Sequence, residues 1–130
     1  MNIRIIQQSI SSQELRDLAK EFYGDLIKGV VDIKREIVAL GGEMHADAEE
    51  ALLKNGSQQS DLWGFNILLD KAKENCLMYE SFINIRPRDD NKDLEVKNPE
   101  TREKMKRIIF AKVQLWLIPN DGRAWRFTSS

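Results

Sequence analysis

The side chains whose types and spacing could do chemistry are concentrated in residues 41–66. This segment holds the only histidine of the chain, His45, together with Asp47, Glu49 and Asp61. A neutral imidazole beside two or three carboxylates can act as a general base near neutral pH or hold a divalent cation. The candidate catalytic residues are therefore His45, Asp47 and Asp61, and the candidate metal ligands are His45, Glu49 and Asp61.

The spacing of these residues limits the chemistry. His45 and Asp47 are two residues apart and would not share a face of a helix, whereas His45 and Glu49 would. With one histidine and one cysteine in the chain, a tight zinc site lacks ligands. Magnesium or manganese, which accept carboxylates and water, are the remaining metals. No cofactor is predicted, with a divalent cation as the alternative.

A structural interpretation explains the same acidic residues. Asp47 and Glu50 have the spacing of a helix N-cap followed by an acidic third residue, and Glu49 would favour the positive end of the helix dipole. Asp61 fits a turn before the next strand. We favour this interpretation over a catalytic or metal site.

A second group of polar residues lies within apolar runs. Asn66 and Asn84 are each followed by isoleucine, and a buried asparagine amide must find hydrogen-bond partners. They form either a polar ladder on the sheet or, with Trp63 and Arg86, a pocket in which the arginine fork holds a carboxylate or phosphate. Trp63, Asn66, Asn84 and Arg86 are the candidate ligand-binding residues, although the ladder is the favoured interpretation.

The elements that would position these residues follow from apolar periodicity and capping signals. Ser11 and Glu14 have capping-box spacing, and Asn98 with Pro99 marks the start of the last helix. The predicted elements are a strand in 2–9, a helix from 11 to 24, a hairpin in 26–40, a helix in 46–54, strands in 62–69 and 81–86, and a helix from 99 to about 112.

This order, β-α-β-β-α-β-β-α, predicts a single α+β domain of two layers. The sheet is expected to be mostly antiparallel or mixed, with about three helices packed largely on one face. The domain is assigned to residues 1–114. Residues 115–130 are expected to form a C-terminal extension that adds a strand or an oligomer contact.

Composition excludes several classes of function. The net charge of −1 provides no general attraction to nucleic acid or to an anionic membrane, and the one basic-aromatic cluster, at 123–127, is short. No signal peptide or membrane span is indicated, and a single cysteine suits the cytoplasm. The chain has no GxSxG, P-loop or GxGxxG motif, which argues against those nucleophilic, nucleotide and hydride chemistries.

Several motifs together resemble a family of small, uncharacterised prokaryotic proteins known as a domain of unknown function. The motifs are GGEMHADAE at 41–49, GS at 56–57, DLWGFNI at 61–67 and INIRP at 83–87. The resemblance covers about residues 2–109 and implies a compact α+β domain. It implies no activity, substrate or catalytic residue.

Two hypotheses of function remain open. The first is a non-enzymatic cytoplasmic module that binds an unidentified protein or small molecule, or associates with itself as a homo-oligomer. The alternative is a small metal-assisted or acid/base hydrolase centred on His45 and its neighbouring carboxylates. Binding of nucleic acid through Arg86, Arg88 and the C-terminal segment is not expected, because these residues would have to merge into one basic stripe.

Overall fold

The computed structural model of the protein describes residues 2–114, which form a five-stranded antiparallel sheet and three α-helices. The strands lie in the order β1-β3-β2-β4-β5. The elements are β1 (Arg4–Ile6), α1 (Ser12–Lys20), β2 (Leu26–Asp32), β3 (Ile37–Leu40), α2 (His45–Lys54), β4 (Leu62–Leu68), β5 (Leu77–Met78) and α3 (Pro99–Lys112). The prediction of an α+β domain with a mostly antiparallel sheet is confirmed.

Local capping signals account for where the helices begin. Ser11 Oγ accepts a hydrogen bond from the backbone N–H of Glu14, and the Glu14 carboxylate accepts one from the N–H of Ser11. Asn98 Oδ1 accepts hydrogen bonds from the first turn of α3. Asp32 Oδ1 similarly accepts from two N–H groups of the β2–β3 turn, which assigns this acid to the hairpin.

The predicted strand at 81–86 is wrong. Phe82–Asn84 is a single turn of 3₁₀ helix, and the last strand is the two-residue β5, which comes earlier in the chain. The Ser81 hydroxyl accepts a hydrogen bond from the N–H of Ile83 and so stabilises the turn instead of an extended strand.

Both faces of the sheet carry an apolar core. On one face α1 and α3 contribute Leu15, Leu18, Met105 and Ile108 to the larger core. On the other face a smaller core forms where α2 packs against the sheet. The predicted two-layer arrangement therefore accounts for the sheet with α1 and α3. The helix α2 packs on the opposite face and adds a third layer. This layer places the N-terminus of α2, with His45, over β2 and β4.

Within residues 2–114, no helix combines the length and the apolarity needed to cross a bilayer. The predicted C-terminal extension and its basic-aromatic cluster lie outside the described residues.

Candidate functional site: the cleft beside His45

The loop before α2 brings His45 onto the sheet. Gly41 and Gly42 both have a positive φ, which turns the chain sharply after β3. Met44 is the N-cap residue, and the Asp47 carboxylate, three residues later, accepts a hydrogen bond of 3.0 Å from the N–H of Met44. The prediction that Asp47 is the N-cap is therefore wrong by three residues. Its negative charge still lies in the first turn, where the positive end of the helix dipole attracts it.

His45 is the first residue of α2, and its ring is buried against β4 with 8% of the residue exposed. Nε2 lies 2.8 Å from the carbonyl oxygen of Phe65. Because a carbonyl oxygen only accepts hydrogen bonds, Nε2 carries the proton in the neutral ring. Burial lowers the pKa of His45, and the charge of Lys28 lowers it further, against the opposing effects of Phe65 and Asn66. His45 is therefore neutral at physiological pH.

A shallow cleft of about 300 Å³ opens beside His45 on the α2 face of the sheet. Lys28 and Asn66 face each other across β2 and β4 and form its floor. The Asn66 side chain donates a hydrogen bond of 3.2 Å to the carbonyl of Glu80, which ties β4 to the segment after β5. One wall consists of Glu80, Ser81, Phe82 and Leu94. His45 and Asn66 thus share one cleft, which includes neither Asp47 nor Asp61.

Two opposite charges that line this cleft form no ion pair within residues 2–114. Lys28 and Glu80 are both half-buried. Among residues 2–114, no oppositely charged atom lies within 4.0 Å of the charged atoms of either side chain. The Lys28 ammonium instead lies 5.6 Å from the centre of the Tyr23 ring. Since Lys28 pairs with Asn66, and Asn66 pairs with Met78, Lys28 and Glu80 stand on opposite sides of Asn66.

Large apolar side chains border the same cleft and point into solvent. Phe82 is 80% exposed and Leu94 38% exposed, and both line the cleft directly. Two further exposed methionines neighbour cleft residues: Met44, which is 61% exposed, precedes His45 in the chain, and Met78, which is 37% exposed, pairs with Asn66. Scattered apolar residues are common on protein surfaces, but a contiguous group around a cleft is typical of an interaction site.

Asn84 does not reach this cleft. Its side chain is fully buried and pairs with the backbone of Gly64: Oδ1 accepts from N–H at 2.8 Å and Nδ2 donates to the carbonyl at 3.0 Å. Nδ2 also lies 3.1 Å from the carbonyl oxygen of Leu94. The amide thus supplies β4 with the donor and acceptor that a neighbouring strand would provide, beyond the end of the short β5.

A second buried asparagine, Asn91, was not singled out from the sequence. Its Nδ2 approaches the carbonyl oxygens of Asn84, Asp93 and Glu95 at 2.8 to 3.1 Å, and its Oδ1 accepts from the N–H of Lys97 at 2.9 Å. Asn84 and Asn91 together organise the segment from 79 to 97 that forms one wall of the cleft. In the sequence Asn91 stands in the polar run DDNKD, which reads as an ordinary loop.

Arg86 is also buried away from the cleft. Its two terminal nitrogens donate to the carbonyls of Gln59 and Leu62 at 2.6 and 2.7 Å, and its guanidinium stacks on Trp63 at 3.7 Å from the ring centre. Burial lowers the pKa of Arg86, while the nearby carboxylate of Asp89 raises it. The predicted ligand-binding fork is thus engaged by the protein's own backbone.

The remaining candidate carboxylates lie apart from the cleft. Glu49 is half-buried on α2. Burial raises its pKa, whereas a hydrogen bond from Gln59 and the charge of Arg86 lower it. The backbone of Asp61 accepts a hydrogen bond from Ile33 at the end of the β2–β3 hairpin. In the part of the chain that the structure describes, no group of three or more histidine, cysteine, aspartate or glutamate side chains is placed to hold a metal ion.

Comparisons with known proteins give a family and nothing more specific. Neither the curated proteins nor the solved structures contain a significant match to the chain. A family model described as "Protein of unknown function (DUF5674)" matches residues 4–112, which span β1 to α3. The resemblance seen in the sequence motifs is confirmed at the level of a family of unknown function. The chain belongs to the DUF5674 family.

Proposed function

We propose that this domain is a non-enzymatic cytoplasmic binding module and that the cleft beside His45 is its interaction surface. The observation that carries the proposal is the coincidence of exposed apolar side chains with uncompensated charges in one place. Phe82 and Leu94 offer apolar contact area, while Lys28 and Glu80 offer charges that a partner can neutralise. Interaction sites combine such apolar area with a few polar groups that fix orientation.

The state of His45 supports binding over catalysis. A general base needs an accessible nitrogen within hydrogen-bond reach of its substrate. The ring is largely buried, and Nε2 is occupied by the carbonyl oxygen of Phe65. The candidate carboxylates Asp47 and Asp61 do not line its cleft, and the hydrogen bond of the imidazole goes to the carbonyl oxygen of Phe65 and not to a carboxylate as in hydrolases.

The cytoplasmic part of the proposal rests on Cys76. This thiol is fully buried, and burial raises its pKa to about 11. A single unreactive cysteine suits a reducing compartment, where disulfides contribute nothing to stability.

The proposal can be tested with the fluorescent probe bis-ANS, which brightens when it enters apolar clefts. We expect dilute protein to bind the dye in its native state and the Phe82→Ser variant to lose most of that fluorescence. Leu53→Ser is the matched control, because Leu53 is an exposed apolar residue of α2 that does not line the cleft. Equal loss in both variants, or no native-state binding at all, would contradict the proposal.

A further inference from the structure

The charges of the cleft define what its partner must carry. Lys28 and Glu80 are half-buried, and covering them further without compensation would cost free energy. A partner that covers the cleft must therefore bring an anionic group to Lys28 and a cationic group to Glu80. It must place these two charges on opposite sides of the point that contacts Asn66, because Asn66 lies between them.

A second copy of this chain meets that requirement. When a twofold axis passes close to Asn66, Lys28 of one copy faces Glu80 of the other, and the reverse pair forms at the same time. Twofold interfaces have this property in general: if residue i contacts residue j, then j also contacts i. One surface therefore supplies both missing charges.

The apolar side chains fit the same arrangement. Phe82 is 80% exposed at the edge of a cleft whose lining also includes the apolar side chains of Leu26 and Leu94. Under the twofold operation, each Phe82 approaches the cleft of the other copy. Burying an aromatic side chain of this size stabilises an association, and aromatic anchors dominate many interfaces.

We infer that the cleft face is a symmetric homodimer interface held by two reciprocal Lys28–Glu80 pairs around Asn66, with Phe82 as the apolar anchor. The inference rests on the proposed function, because it names the partner of the same surface. The partner of the cleft is then a second copy of the same chain. In this dimer His45 lies beneath the interface and has no access to solvent.

Charge reversal tests the arrangement. The full chain is expected to be a dimer by size-exclusion chromatography with light scattering. Lys28→Glu places two like-charged pairs in the interface, as does Glu80→Lys, so each variant alone is expected to be a monomer. An equimolar mixture of the two variants restores both attractive pairs in a heterodimer, and we expect it to elute as a dimer. Glu50→Lys, on the exposed side of α2, is the control and is expected to stay dimeric.

Near-ultraviolet circular dichroism establishes that each variant is folded. If a charge reversal does not fold, Lys28→Gln and Glu80→Gln are expected to weaken the dimer measurably without adding repulsion. A chain that stays monomeric at high concentration overturns the inference, and so does a dimer that survives both reversals. If such a chain still binds bis-ANS through Phe82, the proposed binding surface stands with another partner. If dye binding is also absent, both proposals fall.

Discussion

The buried amide of Asn84 pairs with the backbone of Gly64 in the way that a neighbouring strand would, with one hydrogen bond in each direction. The pairing fixes the segment that carries Ser81 and Phe82 against the edge of β4. The wall of the cleft thus depends on one side chain that does not itself line the cleft.

Replacement of Asn84 by alanine should destabilise the domain by about 3 kcal/mol, because it leaves the N–H and carbonyl of Gly64 buried without partners. Chemical denaturation measures this loss. Asn84→Asp gives a sharper result, since a carboxylate accepts from Gly64 N–H but cannot donate to the carbonyls of Gly64 and Leu94. A protonated aspartic acid can donate once, so the aspartate variant should recover stability as pH falls. A pH-independent difference from wild type would contradict this assignment.

Gly64 should tolerate no side chain while Ser81 is present. A Cβ at this position would lie 2.5 Å from Cβ of Ser81, so Gly64→Ala should destabilise the domain by about 2 kcal/mol. Ser81→Gly in the same chain should recover part of the loss, since it removes the atoms that clash. The double-mutant cycle measures this coupling, and additive effects would show that the two residues do not meet.

Arg86→Lys should destabilise the domain by about 2 kcal/mol although it keeps the charge. A lysine cannot reach the carbonyls of Gln59 and Leu62 together, nor stack on Trp63 as a planar group. The control is Arg88→Lys, an exposed arginine two residues away, which should change the midpoint of urea denaturation very little. Equal effects at the two positions would contradict the structural assignment of Arg86.

His45 should make the domain less stable in acid. Its pKa in the folded state is lowered below the ordinary value, so the unfolded chain takes up a proton first as pH falls. The contribution of His45 is complete above about pH 6.5 and is lost as pH falls toward the lowered pKa. The stability advantage of wild type over His45→Gln should shrink as pH falls below about 6.5. Parallel stability curves would mean that the ring is not buried in its neutral form.

Much of the fold follows from local signals in the sequence. The capping box of Ser11 and Glu14, the N-cap Asn98 and the hairpin turn after Asp32 are all decided by neighbours within four residues. Asp47 was assigned to the wrong cap position because an acid at the third helical residue bonds back to the N-cap N–H and is also favoured by the dipole.

The rest depends on contacts between distant parts of the chain. The alternating residues around Asn84 favoured a strand, but the side-chain amide of Asn84, and not its backbone, pairs with β4. No local pattern shows that Lys28 and Glu80 share a cleft, because only the sheet order brings them to the same face of the sheet, one on each side of β4. Asn66 and His45 were singled out from the sequence, yet their cleft includes none of the expected carboxylates.

The most direct test of the binding surface is an amide chemical-shift map of the isotope-labelled protein, diluted until it is monomeric and titrated with bis-ANS. We expect the perturbed residues to cluster at Lys28, His45, Asn66 and Phe82 while the rest of the spectrum stays in place. Perturbations concentrated instead at the cleft beside Trp63 and Asn98, or the absence of any localised change, would contradict the assignment of the cleft beside His45 as the binding surface.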